Sequence, residues 1–283
     1  MLSVDPIRWP LEAIWQAVVP HLPGFTCEAL PTIDSTNTEL MRRFKAGQLE
    51  PTLLVAEQQS AGRGRLGRQW HSQRGDSLMF SLGMPLAPAD WSGLSLAVGI
   101  SLADSLDAAH APAHHIGLKW PNDLWLVTKH QHAMDERKLG GVLVETATFE
   151  GKRYLVIGVG INVRAFDVTL QEPTAVAPNC LQNLQPDADV ASTLLRVLPP
   201  LVQTVQAFEQ FGFAPFQARF ARRDVLAGRS VQLSDDTQGE AHGVTESGAL
   251  LVHTAAGMKE ITSSEVSVRP VAGHAPAGDL RPC

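Results

Sequence analysis

Gln59-Ser60-Ala61-Gly62-Arg63-Gly64-Arg65-Leu66-Gly67-Arg68-Gln69-Trp70 alternates glycines with three guanidinium groups and closes on an aromatic side chain. Glycine brings backbone N–H groups close to a ligand and tolerates positive φ. Arg63, Arg65 and Arg68 present planar donor forks matched to carboxylate and phosphate oxygens. The string reads as a loop that wraps an anion. Gly-Arg runs also occur in segments that bind single-stranded nucleic acid, so the flanks decide between the two. Leu53-Leu54-Val55-Ala56-Glu57 leads into the loop and Leu78-Met79-Phe80-Ser81-Leu82 follows it, both with strand composition. A loop held by sheet at both ends belongs to a folded site.

The rest of the composition agrees. A chain of 283 residues, 44% hydrophobic, suits one large domain plus a small one, or two modest ones. No apolar run is long enough to span a bilayer, and Met1 to Pro6 lacks the basic start and apolar core of a signal peptide. A formal net charge of −6 argues against broad nucleic-acid affinity. Cys27, Cys180 and Cys283 are too widely spaced for a disulfide framework or a zinc site, so a reducing, cytoplasmic setting is expected. His114-His115 and the His130/His132 pair read as loop or rim residues rather than metal ligands.

Along the chain, the spacing of Ile7, Leu11, Ile14, Trp15 and Val18 predicts a helix over Pro6 to Val19. Asp34-Ser35-Thr36-Asn37 caps a second helix carrying Leu40, Met41 and Phe44. Trp91 to Ala109 predicts an amphipathic helix. Ile116 to Trp120, Leu124 to Val127, Leu139 to Glu145 and Tyr154 to Val163 predict strands. Val190 to Phe211 predicts a long helix kinked or split at Pro199-Pro200, and Pro215 to Ala221 one more. From Arg229 the pattern changes to short strands, Ser230–Leu233, Gly239–Val244, Ala249–His253 and Met258–Ile261, which suggest a small barrel. Pro270 to Cys283 reads as a disordered tail. The predicted organisation is α+β: a catalytic domain over 1–228, a barrel over 229–269 and a tail over 270–283.

Three clusters join the opening loop. In Lys119-Trp120-Pro121-Asn122-Asp123, proline fixes a turn that projects an ammonium, an amide and a carboxylate from one bend. Lys138-Leu139-Gly140-Gly141-Val142-Leu143-Val144-Glu145 opens a strand with a lysine and two glycines, where a ligand or another backbone can approach. Gly158-Val159-Gly160-Ile161-Asn162-Val163 places glycines in a buried strand that ends on an amide. The plain readings of the three are a polar turn, a bulge and packing.

In this order the four motifs resemble those of biotin protein ligases, which activate biotin with ATP and attach it to a lysine of a biotin-dependent carboxylase. The resemblance runs from about Asp34 to Arg269. It implies a mixed sheet with packed helices, the class II synthetase-like core, followed by an SH3-like barrel. It also implies ATP and biotin as substrates, Mg²⁺, and a biotin carboxyl carrier domain as partner, with a homodimer left open. Lipoate and octanoate ligases share the fold, but are not expected to combine this loop with Lys-Trp-Pro-Asn-Asp. A non-catalytic RNA-binding protein is the rival from another class. No winged helix-turn-helix is expected before Asp34, and hence no specific DNA binding.

The chemistry fits these residues. Joining a carboxylate to the α-phosphate of ATP brings two anions together, so the site must cancel their repulsion and hold them in line. As the resemblance implies, Arg63 and Arg65 bridge the biotin carboxylate and phosphate, and Lys138 stabilises charge at the reacting phosphorus. Arg65, Lys138 and Asp123 are the catalytic candidates, with Asp123 also the candidate Mg²⁺ ligand. Arg68, Trp70, Lys119, Asn122 and Asn162 are assigned with Arg63 and Arg65 to ATP or the adenylate. Ser35, Thr36, Gln59, Gly62 and Gly141 join Arg63, Arg65 and Lys138 around biotin. Ser60 leaves open which of Gln58 and Gln59 faces its ring. Two stretches are candidate lids, Gly62–Gly75 and Arg164–Asn179. The polar run Thr128–Arg137 is an insertion ahead of Lys138.

Overall fold

The computed structural model describes residues 7–107, 109–131, 133–165, 178–262 and 268–270. Residues 271–283 of the expected tail and most of the 164–179 stretch lie outside these. A seven-stranded sheet carries the architecture, in the order β1-β2-β3-β7-β6-β5-β4. Its strands are β1 (Thr26–Leu30), β2 (Thr52–Ala56), β3 (Ser77–Pro85), β4 (His114–Lys119), β5 (Asp123–Lys129), β6 (Met134–Phe149) and β7 (Lys152–Asn162). β1 runs parallel to β2, and every other neighbouring pair is antiparallel, so the sheet is mixed as predicted.

Alternation along the strands divides the core between two faces. Leu53 and Val55 of β2 join the large core with α1 (Leu11–Val18), α3 (Leu94–Leu106) and α4 (Val190–Phe211). Leu54 points the other way, to α2 (Thr36–Lys45), where Phe44 stacks on Tyr154 with ring centroids 4.5 Å apart. Phe44 is fully buried there, and truncating such a ring to alanine costs about 3–5 kcal/mol. The second face is thin: one helix covers it, and the strands beside that helix are open to a ligand.

Several elements differ from their predicted form. α1 starts at Leu11 rather than Pro6, with Pro10 in the N-cap position; the residue before a proline is pushed out of the helical region. α3 is not amphipathic, because it lies between the sheet and α4 and buries Leu94, Leu96, Val98, Ile100 and Leu102 on all sides. α4 is not split at Pro199-Pro200. The prolines remove two helix N–H donors, but Val197, Leu198, Leu201 and Val202 beside them are essentially fully buried and hold the helix in place. Within the polar run 128–137, Thr128 and Lys129 of β5 pair with Asp135 and Met134 of β6, and Lys138 follows in register opposite Trp125. β1 is an edge strand the sequence reading did not contain.

After the short helix α5 (Gln217–Ala221) come β8 (Ser230–Leu233), β9 (Gln238–Val244), β10 (Leu250–Thr254), β11 (Gly257–Ile261) and β12 (Val268–Pro270). They form an antiparallel sheet in the order β11-β10-β9-β8-β12, whose two edges are not paired with each other among the described residues. This sheet docks tightly on the first unit. A Cβ on Gly248 would lie 2.7 Å from the Cα of Gly93, and Arg229 forms a doubly hydrogen-bonded ion pair with Glu136 of β6 at 2.7 Å.

Candidate active site

The glycine-arginine loop leaves β2 as a narrow, hydrogen-bonded turn. Trp70 N–H donates to the Gly62 carbonyl at 2.9 Å and Gly64 N–H to that of Arg68 at 2.7 Å. At the tip, Leu66 and Gly67 both take positive φ, 55° and 70°. Gly62 is required by close approach, since a Cβ there would sit 2.6 Å from the Trp70 carbonyl oxygen. The three arginines diverge. Arg63 pairs with Glu145 of β6; Arg65 reaches across the cleft and donates to Asn122 Oδ1 at 3.3 Å; Arg68 is exposed. Burial lowers the Arg65 pKa from its ordinary value, against the opposing pull of Asp123 and helped by the like charge of Arg68.

Opposite the loop, the turn from Lys119 to Asp123 and the start of the Gly-Gly segment of β6 meet by register. Asp123 lies across from Gly141, and its Oδ1 is 2.7 Å from Lys138 Nζ. A Cβ on Gly141 would stand 3.4 Å from that oxygen, so the glycine leaves the ion pair open to the cleft. Asn122 Nδ2 donates to the Val142 carbonyl at 2.7 Å, which fixes the turn to β6. Lys138 Nζ lies 5.8 Å from the centroid of Trp70. The indole in turn rests on Gly160, where a Cβ would fall 2.5 Å from the ring. Trp70 is thus a wall as well as the loop's anchor. Lys119 sits over Trp125, 5.2 Å from its centroid.

The third wall is the N-terminus of α2. Ser35 caps the helix by accepting from Thr38 N–H at 3.4 Å, and Ser35, Thr36 and Asn37 are all buried. Gln59 Oε1 accepts from Thr36 N–H at 2.7 Å. Gln58 is exposed and Gln59 is not, so Gln59 is the glutamine that faces the cleft.

One cleft collects every predicted site residue except Gly62 and Asn162. Gly62 is buried and lines a neighbouring depression, which the loop forms with Leu143 and Glu145. Asn162 is buried and donates from Nδ2 to the Asn179 carbonyl at 3.2 Å, so its amide secures the chain after β7. The sequence reading missed Asn37, Gly158, Gly160 and Val268 as cleft residues. For Gly158 the signal was present in its motif: a Cβ there would overlap Asn37 Oδ1 at 2.2 Å. Val268 comes from the second sheet, and no local pattern marks it.

The donor set bears on a metal. Among the described residues no group of three or more His, Cys, Asp or Glu is placed to hold an ion, and Asp123 is the single carboxylate lining the cleft. This suits a Mg²⁺ that arrives on a nucleotide, because such an ion takes one or two carboxylates and completes its shell with phosphate and water. It does not suit a resident metal centre.

Residues 29–162 match the Biotin/lipoate A/B protein ligase family, and residues 228–269 match the Biotin protein ligase C terminal domain. The bifunctional ligase/repressor BirA of Escherichia coli is 34% identical over 261 residues, covering 89% of this chain and 77% of its own. The biotin–[acetyl-CoA-carboxylase] ligase of Paracoccus denitrificans is 31% identical over 84% of this chain and 98% of its own. The solved biotin protein ligase of Aquifex aeolicus, in complex with biotin and ATP, superposes with a TM-score of 0.69 at 30% identity, covering 87% of this chain and 99% of that one. Similarity of this extent covers both units and the whole of the cleft between residues 35 and 268, and the chain belongs to the biotin protein ligase family.

Proposed function

We propose that this protein activates biotin with ATP and transfers the biotinyl group to a lysine of a carboxyl carrier domain. The observation that carries this reading is the meeting of two unlike subsites in one cleft. The neutral, hydrogen-bonding end of α2 suits an uncharged ureido ring, and a cationic end built from Arg65, Arg68, Lys119 and Lys138 suits a carboxylate and phosphates. In the first step a carboxylate oxygen of biotin attacks the α-phosphorus and pyrophosphate leaves. In the second the acceptor amine attacks the adenylate carbonyl and AMP leaves. No side-chain nucleophile is needed.

Lys138 and Arg65 hold the two anions together and stabilise the charge on the reacting phosphorus. Arg63, now on Glu145, turns toward biotin and phosphate when they arrive. Ser35, Thr36 and Gln59 receive the ring, and Gly141 leaves it room. Trp70, Lys119, Asn122 and Arg68 contact the nucleotide. Asp123 would hold the Mg²⁺ that accompanies ATP, and the ion would supply charge neutralisation on the phosphates. Gly62–Gly75 closes over the adenylate and excludes water. Residues 1–228 act as the catalytic domain and 229–269 as an SH3-like barrel that supports it, in the cytoplasm. No helix of the described residues is long and apolar enough to cross a membrane.

Biotin-dependent exchange of pyrophosphate into ATP tests the reading, with lipoate and octanoate as controls. Exchange with biotin alone supports it. Exchange driven by lipoate or octanoate in its place reassigns the substrate, and RNA retention without any exchange overturns the enzyme reading.

A further inference from the structure

Lys138 stands where the sheet is irregular on both sides of it. Toward β5, Trp125 pairs with Lys138 and Leu124 with Gly140, so Leu139 is an extra residue between two ladder positions. Side chains alternate along a regular strand, which would set Lys138, three residues before Gly141, on the opposite face. The bulge cancels one step of that alternation. Leu139 enters the large core, fully buried, and Lys138 shares the cleft with Gly141 and Asp123. Toward β7, the ladder stops at Gly140 opposite Ile161, before it reaches Lys138.

The backbone of the lysine is held from elsewhere. Asn179 N–H donates to the Lys138 carbonyl at 2.8 Å, taking the part of a strand neighbour. Asn179 is tied in turn. Its carbonyl accepts from Asn162 Nδ2 at 3.2 Å, and its Oδ1 accepts from Cys180 N–H at 2.9 Å and from Asn183 Nδ2. Asn179 and Asn162 are both buried, so a bond lost here is not simply replaced by one to water.

We propose that Asn179 is a positioning residue for the reaction, fixing the backbone from which Lys138 reaches Asp123 Oδ1 at 2.7 Å and, on the proposed function, the reacting phosphorus. Asn179 lies outside the cleft lining and acts through the lysine alone. Placement matters at this point, because a shift of about 1 Å between reacting groups can cost about a hundredfold in rate. The inference rests on the biotin reading and deepens it: a bulge aims the lysine, and a residue distant in sequence holds the aim.

Single-turnover adenylate formation per folded molecule tests this, with KM for biotin and ATP, on wild type, N179A and N179P, each also in a K138Q background. N179P removes the N–H that Lys138 uses; N179A keeps it and removes the side-chain ties. N179P should slow adenylation about thirtyfold and N179A about fivefold, with both KM values within about twofold. In the K138Q background neither should cost more than about twofold, because no lysine is left to place. Equal costs in the two backgrounds overturn the proposal, since Asn179 then serves the fold or meets the nucleotide itself. A rise in KM for ATP that matches the fall in rate does the same. Should N179P fail to fold, N179A decides alone: full-speed adenylation, or the same loss with and without Lys138, refutes the role. Wild type that activates lipoate or octanoate in place of biotin overturns the biotin reading only, and the comparison is then made with that acid. Wild type that activates none of the three overturns both.

Discussion

The indole N–H of Trp120 donates to the backbone carbonyl of Gly248 at 3.0 Å, and this bond joins the Lys119–Asp123 turn to the second sheet. Trp120 is fully buried, so both partners are cut off from water and each depends on the other. The second sheet also contributes Val268 to the cleft, and is therefore part of the site's frame.

Trp120→Phe keeps the ring and removes the donor, leaving the Gly248 carbonyl unpaired at a cost of about 1–3 kcal/mol. Thermal unfolding should show that loss, and KM for ATP should rise because the turn that carries Asn122 and Asp123 loosens. A truncation ending at Gly228 should lose transfer activity per folded molecule. Unchanged kcat/KM for ATP and acceptor in both proteins would reduce the second sheet to a stabilising appendage.

On the proposed function, Lys138→Gln removes one preorganised cation from the reacting phosphorus. Such a loss typically costs about 2.7–4 kcal/mol in the transition state. The Lys138–Asp123 pair is 41% and 19% exposed on its two sides, and exposed pairs contribute little to folding. Single-turnover adenylate formation should fall by about two to three orders of magnitude, with the melting temperature nearly unchanged. Near-normal adenylation would show that the lysine has another role.

Gly160→Ala and Gly141→Ala separate contact from clearance. At Gly160 the new methyl would overlap the Trp70 ring at 2.5 Å, whereas at Gly141 the nearest atom is 3.4 Å away. The first substitution should displace the indole and the loop behind it, raising KM for ATP at least tenfold. The second should alter it far less in the ligand-free geometry. Equal effects on steady-state KM would refute Trp70 as a wall of the nucleotide subsite.

Asp224 tests the seam between the two units by pH. Burial raises its carboxyl pKa to about 6 from an ordinary value of 3.8, despite hydrogen bonds from the Leu226 and Ala227 backbone and the charge of Arg229, and its Oδ2 has no partner among the described residues. The folded protein then binds this proton more tightly than the unfolded chain. Between pH 3.8 and about 6 the unfolded state holds fewer protons at this site, so the contribution to stability falls as pH rises and the cost is complete above pH 6. Asp224→Asn should stabilise the protein at pH 7.5, by on the order of 1–3 kcal/mol, and the gain should vanish near pH 4. A gain independent of pH, read from denaturant unfolding at both values, would mean that the charge is not what the seam resists.

What the sequence showed and what it hid divide along range. The loop from Gln59 to Trp70, the Lys119–Asp123 turn and the glycines of β6 and β7 are local patterns whose chemistry is written in adjacent residues. β1 was missed because Thr26–Leu30 is short, sits at an edge and lacks clean alternation. α3 looked two-faced because neighbours on both sides cannot be inferred from one segment. Ser81, Asn37 and Glu145 meet only because β3, α2 and β6 converge, across separations of 44 and 108 residues. Asn162 went the other way: its motif was plain, but the fold turns its amide to the chain after β7 rather than to the cleft.

Glu57, at the exit of β2, is buried and pairs with Arg74 Nε at 2.5 Å, closing a span of 17 residues around the arginine loop. A segment whose ends are already tied has lost most of its freedom to spread, because ring closure is entropically complete before any ligand arrives. The guanidinium groups therefore ride on a hoop of fixed circumference. Such a hoop can tilt inward or outward, but its backbone cannot come apart residue by residue, so the two anions of the proposed reaction would be gripped together and let go together.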